Sequence, residues 1–230
     1  MKRLGLLGGM SWESSVEYER LINQGVRRAL GGTHSADLII RSYDFAAIEA
    51  LQANDDWDGA AKLLVADARH LEAAGAEAIV LCTNTMHRVA DAIEAATSVP
   101  FIHLADATAR AVVEAELSSV ALLGTRYTME QDFYRARLER LGLEVVIPDA
   151  VDRTTIHEVI YNELVQGIVN PASKQAYLEV VDRLVEQGAQ GVIAGCTEIE
   201  LLVVPTDVAV PYFATTSLHA QAAVAFALDS

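Results

Sequence analysis

Short apolar runs alternate along the chain with longer stretches in which apolar and polar positions recur at helical spacing. Leu4–Leu7, Leu38–Ile40, Ala78–Leu81, Phe101–Leu104, Val120–Leu123, Val145–Ile147, Gly191–Ala194 and Val208–Phe213 each have the length and composition of a strand. Trp12–Leu30, Trp57–Ala74 and Lys174–Gln187 carry the amphipathic pattern of helices. Strands that read as continuous apolar runs, separated by helices, predict an α/β fold in which a mostly parallel sheet is covered by helices. In such sheets the loops at the C-terminal ends of the strands form the binding crevice.

The second half of the chain repeats the first. RLGLLGGM around Gly8 is answered by SVALLGTR around Gly124, AGAEAIVLCTN around Gly75 by QGAQGVIAGCT around Gly188, and SVPFIH at Pro100 by AVPYFA at Pro211, in the same order and with slowly drifting spacing. The repeat predicts two pseudo-symmetric α/β lobes, the first from residues 1–106 with 214–230 and the second from 107–213. Aligned without gaps, the middle match pairs Ile79 with Val192, Cys82 with Gly195, and Thr83 with Cys196. Strand side chains alternate, so Cys82 and Thr83 are expected to point opposite ways if the extension persists, and only one of them can face a crevice.

Composition narrows the picture. The 230 residues are 52% apolar with mean hydropathy +0.23, enough for a sizeable core without a covalent staple. The net charge of −15 comes with no basic block, which argues against nucleic acid as a partner and leaves an anionic ligand possible only where helix N-termini make a pocket locally positive. The opening MKRLGLLGGMSWESS is too short and glycine-broken in its apolar part for a signal peptide and reads as a first strand; no stretch reaches transmembrane length. A soluble, cytoplasmic protein with no membrane partner is expected. The two cysteines, Cys82 and Cys196, form no CxxC or Cys/His cluster, so they are neither a disulfide scaffold nor a zinc site. They are buried apolar fillers or reactive thiols.

Candidate chemistry gathers where apolar runs stop at polar groups. Cys196 follows a glycine at a strand end, with Thr197 and Glu198 next. A helix starting there would favour thiolate over thiol through its free N–H groups and dipole. Thr83, Asn84 and Thr85 offer hydroxyls, an amide and backbone N–H groups for cradling a carboxylate, although plain N-cap residues have the same composition. Gly8-Gly9-Met10-Ser11 lacks the spacing of a dinucleotide fingerprint but suits a small-ligand loop. Thr125 echoes that loop in the second half, and turn chemistry accounts for it equally well. His87 either reaches the crevice or lies on a helix surface. Gln52, Arg41 and His157 belong to no motif, though a distal substrate group needs some polar partner.

GLLGGMSWES, CTNTMH, ALLGTRYTM and GCTEI, in this order and along almost the whole chain, resemble the aspartate/glutamate racemase family. The resemblance implies two lobes with the active site between them, and racemisation of a small amino acid by two opposed cysteines without pyridoxal phosphate, metal or any other cofactor. It also implies a homodimer. The family's first cysteine stands directly before Asn-Thr; here that place is held by Thr83, while the second cysteine matches Cys196, which the family makes the base for the L-enantiomer. The implied site therefore has Thr83 and Cys196 as catalytic residues in a Thr-for-Cys subgroup. Met10, Ser11, Gln52, Asn84, Thr85, Thr125, Thr197 and Glu198 would surround L-aspartate or L-glutamate. A malonate-type decarboxylase using the single thiol, or a catalytically silent two-lobe binding module, are the alternatives.

Overall fold

The computed structural model describes residues 1–229 and divides the chain into two compact units, Met1–Leu104 joined by the segment from His219 onward, and Ala105–Leu218. The first unit runs β1 (Leu4–Gly8), α1 (Trp12–Leu30), β2 (Leu38–Ser42), α2 (Phe45–Ala53), α3 (Trp57–Ala73), β3 (Ala78–Leu81), a 3-10 turn (Thr85–Val89), α4 (Ala90–Ala96) and β4 (Phe101–Ile102). After α5 (Leu104–Glu114) the second runs β5 (Ser119–Gly124), α6 (Arg126–Glu130), α7 (Asp132–Glu139), β6 (Glu144–Val146), α8 (Ala150–Asn162), α9 (Pro171–Glu186), β7 (Val192–Gly195), α10 (Ile199–Leu202) and β8 (Tyr212–Ala214). Helix α11 (Thr215–Leu228) follows, and its later turns pack in the first unit, where Ala220, Ala223 and Ala227 lie among Leu4, Leu6 and Tyr18.

Each unit holds a four-stranded, fully parallel sheet, in the orders β2-β1-β3-β4 and β6-β5-β7-β8. The same order twice is the structural form of the sequence repeat. Strands β1, β3, β5 and β7 are buried along their whole length, which is why they read as unbroken apolar runs. Helix α1 turns Ser14, Tyr18, Ile22 and Val26 inward at four-residue spacing and is capped by the Ser11 side chain. Helix α3 buries Trp57, Ala60, Leu64, Ala68 and Leu71 and is capped by Asp56; Asn170 followed by Pro171 starts α9.

Two strand expectations change. The run Phe101–Leu104 is a strand only over Phe101–Ile102, because Leu104 already opens α5. In Val208–Phe213, Pro205–Asp207 forms a 3-10 turn just ahead and Pro211 has no N–H to give a ladder, so the strand is Tyr212–Ala214. No helix among the described residues is long and apolar enough to cross a membrane.

One buried group ties α11 to the first unit. The His219 Nε2–H donates to the Ile102 carbonyl at 2.6 Å, and the Tyr18 hydroxyl, 2.8 Å away, donates to Nδ1. Burial pushes the imidazole pKa down to about 4 despite the bond to Ile102. With the folded value below the unfolded one, the unfolded chain takes up the extra proton as pH falls from about 6.5 to about 4, so the contribution is complete above that window and lost within it. The shift corresponds to roughly 3 kcal/mol. Urea midpoints are therefore expected to fall markedly between pH 7 and pH 4.5, and His219→Gln should flatten that part of the profile; an unchanged slope in the variant would remove His219 as its source.

Candidate active site

In each sheet the chain leaves the first strand toward one side and returns to the other, so the loops after β1 and β3, and after β5 and β7, part at the point where the strand order reverses. That is where an open α/β sheet leaves a crevice. The register aligns these loops residue by residue. Leu7 lies opposite Leu81 in the first sheet and Leu123 opposite Ala194 in the second. Thr83 and Cys196 each stand two residues beyond, in equivalent positions. Close approach around β7 requires glycine: a Cβ on Gly195 would sit 2.7 Å from the Leu123 carbonyl oxygen, and one on Gly124 would sit 2.9 Å from that of Gly195.

The expected extension through Cys82 does not occur. The Thr83 N–H donates to the Leu81 carbonyl at 2.9 Å, closing a three-residue turn around Cys82. The Cys82 side chain enters the apolar cluster of Leu4, Leu6, Tyr18 and Val80, and burial pushes its thiol far above the usual range. It is a filler. Thr83, Asn84 and Thr85 are all buried at the strand end, beside the loop that carries Met10 and the α1 cap Ser11. The Gln52 side chain, without a motif in the sequence, is buried on α2 and its amide reaches the Met86 sulfur at 3.1 Å, which brings it to this loop. His87 is not on a helix surface: it is 2% exposed, its Nδ1 lies 2.6 Å from the Thr83 carbonyl, and its Nε2 accepts the Leu104 N–H at 3.2 Å. Asn84 precedes the 3-10 turn without a side-chain capping bond.

In the second unit, Thr125 caps α6 by accepting the Thr128 N–H at 3.4 Å, the same bond at the same length that Ser11 makes with Ser14 before α1. Cys196 follows β7, with Thr197 and Glu198 in the turn. The expectation of a thiolate-stabilising helix fails here, for a physical reason. Helix α10 has four residues and begins only at Ile199, and the Cys196 thiol donates to the Glu198 carboxylate at 2.9 Å. Burial, then the negative charge of Glu198, push the thiol well above its usual range. The geometry is that of a thiol donating its proton toward a carboxylate oxygen.

Arg41 and His157 serve elsewhere. Arg41 pairs with Asp67 at 2.9 Å and stacks over the Tyr43 ring; His157 accepts the Arg126 N–H at 3.2 Å and stands beside Tyr161. Glu200 was not singled out by the motifs, although it is the second acid of the run TEIE. Its charge also raises the Cys196 thiol, and its Oε1 accepts the Thr216 N–H at 3.4 Å. Tyr212 approaches the same thiol while its hydroxyl donates to the Val203 carbonyl at 3.0 Å. Among the described residues no group of three or more His, Cys, Asp and Glu side chains could hold a metal ion.

The arrangement has counterparts in known proteins. A crystal structure of a Yersinia pestis protein assigned as an Asp/Glu racemase superposes with a TM-score of 0.95 at 55% identity, covering 100% of both chains. The broad-specificity amino-acid racemase of Bacillus subtilis is 23% identical over 96% of each chain. A glutamate racemase of Koribacter versatilis is 32% identical over 72% of this chain, a match that spans 58% of that longer protein. The model of the Asp/Glu/hydantoin racemase family matches residues 7–223, and the chain belongs to that family.

Proposed function

We propose that the protein is a cofactor-independent amino-acid racemase acting on L-aspartate and L-glutamate, with Cys196 as the base for the L-enantiomer and Thr83 serving the opposite face. The observation that carries this reading is the register. Two residues beyond Leu81 and Ala194, which face the equivalent Leu7 and Leu123, stand a hydroxyl in one unit and a thiol in the other, in a chain of a racemase family. The names of the family and of the relatives support acidic or broader amino acids as substrates. No observation favours a decarboxylase or a silent binding module.

The geometry gives the first step a route. The thiol already points its proton at Glu198. An incoming ammonium group would offset the negative charge of Glu198 and Glu200, lowering the cost of thiolate. The thiol proton passes to the Glu198 carboxylate, the thiolate removes the α-proton, and the resulting carbanion is protonated from the far side by the Thr83 hydroxyl or by water held on it; the donor takes its replacement proton from solvent, and Glu198 releases its proton to solvent, so the charge balances. A free thiol ionises near pKa 8.5 and can be tuned, whereas a threonine hydroxyl donates to a carbanion but is far too weak an acid to serve as an ionised base near neutrality. On this reading Met10, Ser11, Gln52, Asn84, Thr85, Thr125, Thr197 and Glu198 would surround the substrate.

Two outcomes test this. Cys196→Ser is expected to abolish loss of Cα–H from L-aspartate and L-glutamate in D2O while the circular dichroism and thermal midpoint stay near those of the parent; exchange at the parent rate would end the assignment of Cys196. Glu198→Gln should shift alkylation of Cys196 to lower pH, since a charge that raises the thiol is gone, and yet should cut turnover by about 10²–10⁴, the usual contribution of a positioned proton acceptor. Turnover that rises along with thiol reactivity would show that Glu198 only burdens the thiol.

A further inference from the structure

After each of the two positions comes a side chain that accepts a helix N–H, a neutral ring in the first unit and a carboxylate in the second. Four residues beyond Thr83 stands His87, and four residues beyond Cys196 stands Glu200. Each accepts a backbone N–H from the first turn of the helix that follows the last strand of its sheet. His87 Nε2 takes that of Leu104 in α5 at 3.2 Å, and Glu200 Oε1 takes that of Thr216 in α11 at 3.4 Å.

On the racemase reading above, we infer that His87 is the positioning residue for Thr83. The Leu104 N–H occupies the Nε2 lone pair, so the single proton of the neutral ring sits on Nδ1 and is donated to the Thr83 carbonyl at 2.6 Å. The Thr83 N–H is already committed to Leu81 at 2.9 Å. Both backbone groups of Thr83 are therefore fixed, and with them the direction in which its hydroxyl leaves the chain. The ring itself has little freedom, because His103, Phe101 and His219 stand edge-on at centroid distances of 4.6, 5.6 and 5.7 Å. His219 is in turn held by Tyr18 and Ile102. None of these groups touches the reacting atoms; they act through Thr83.

Losing the His87 bond to Thr83 should harm delivery of the proton to the far face and leave removal of the α-proton by Cys196 intact. Losing Glu200, whose charge raises the Cys196 thiol, should instead move exchange and inversion by the same factor, since both begin at Cys196. In His87→Asn the new side-chain amide nitrogen would lie near the place of Nδ1, whereas in His87→Gln it would lie near that of Nε2, so the conservative variants separate the two bonds of the ring. The experiment measures Cα–H exchange and inversion from L-aspartate and L-glutamate in D2O for the parent, His87→Asn, His87→Gln and Glu200→Ala, with thermal midpoints alongside. His87→Gln is expected to lower inversion by about tenfold to a hundredfold relative to exchange, the scale of a misplaced reacting group. His87→Asn should keep the parent ratio, and Glu200→Ala, as the control, should move exchange and inversion by the same factor and so also keep the ratio. An exchange-to-inversion ratio that is unchanged in His87→Gln, or altered equally in both His87 variants, would overturn the positioning role while leaving the racemase reading in place. A parent enzyme that neither exchanges nor inverts would overturn the racemase reading itself.

Discussion

Parallel neighbours cannot be joined by a tight turn, so each central strand must be reached by a helical crossover, and its C-terminal end is left free beside that of its neighbour. The pairing of β1 with β3 and of β5 with β7 in one common register is what the rest depends on. It puts Gly8 and Gly124 at the ends of the first strands of each sheet, and it puts Thr83 and Cys196 two residues beyond the equivalent Leu81 and Ala194 of the others. A slip of one residue would exchange the faces of these strands and send Cys82 rather than Thr83 toward the crevice. The apolar cluster that takes up Cys82 makes such a slip costly, because Thr83 would have to enter it.

The chemistry of the two positions is unequal because their surroundings are. Thr83 has a neutral imidazole behind its backbone, and Cys196 has two carboxylates beside it. A buried thiol next to negative charge is a poor acid, and on the proposed reading its ionisation waits for a cationic substrate group. A threonine hydroxyl cannot be readied in this way. Enantiomers are equal in free energy in water, so the equilibrium constant is one and kcat/KM must be the same in both directions. The inequality of the residues can appear only in the separate constants and in isotope exchange.

Much of this was legible in the sequence because it rests on short-range pattern. The repeat, the two parallel sheets and the equivalence of Thr83 with Cys196 all follow from apolar runs of fixed length ending on polar groups. What escaped depends on where side chains go after the strands end. The turn at Cys82 is closed by one backbone bond between Thr83 and Leu81, with no residue type that signals it. His87 has the spacing of an exposed histidine and is buried because β4, α5 and α11 all converge on it. At Cys196 the flanking polar residues suggested an activated thiolate, but a four-residue helix supplies little, and the carboxylate two residues on acts in the other direction.

The central claim is a site with one ionisable face, and the most direct measurement is early α-hydrogen exchange in D2O from each enantiomer separately, followed by mass spectrometry with chiral separation. From the L-enantiomer, the Cys196 thiol can return solvent deuterium to the face it emptied, so exchange should outrun inversion. From the D-enantiomer, whose hydrogen the proposed reading puts on the Thr83 face, label should enter no faster than inversion occurs. Exchange that outruns inversion equally from both enantiomers would mean that a second ionisable base faces the substrate, and the Thr83/Cys196 account would be wrong.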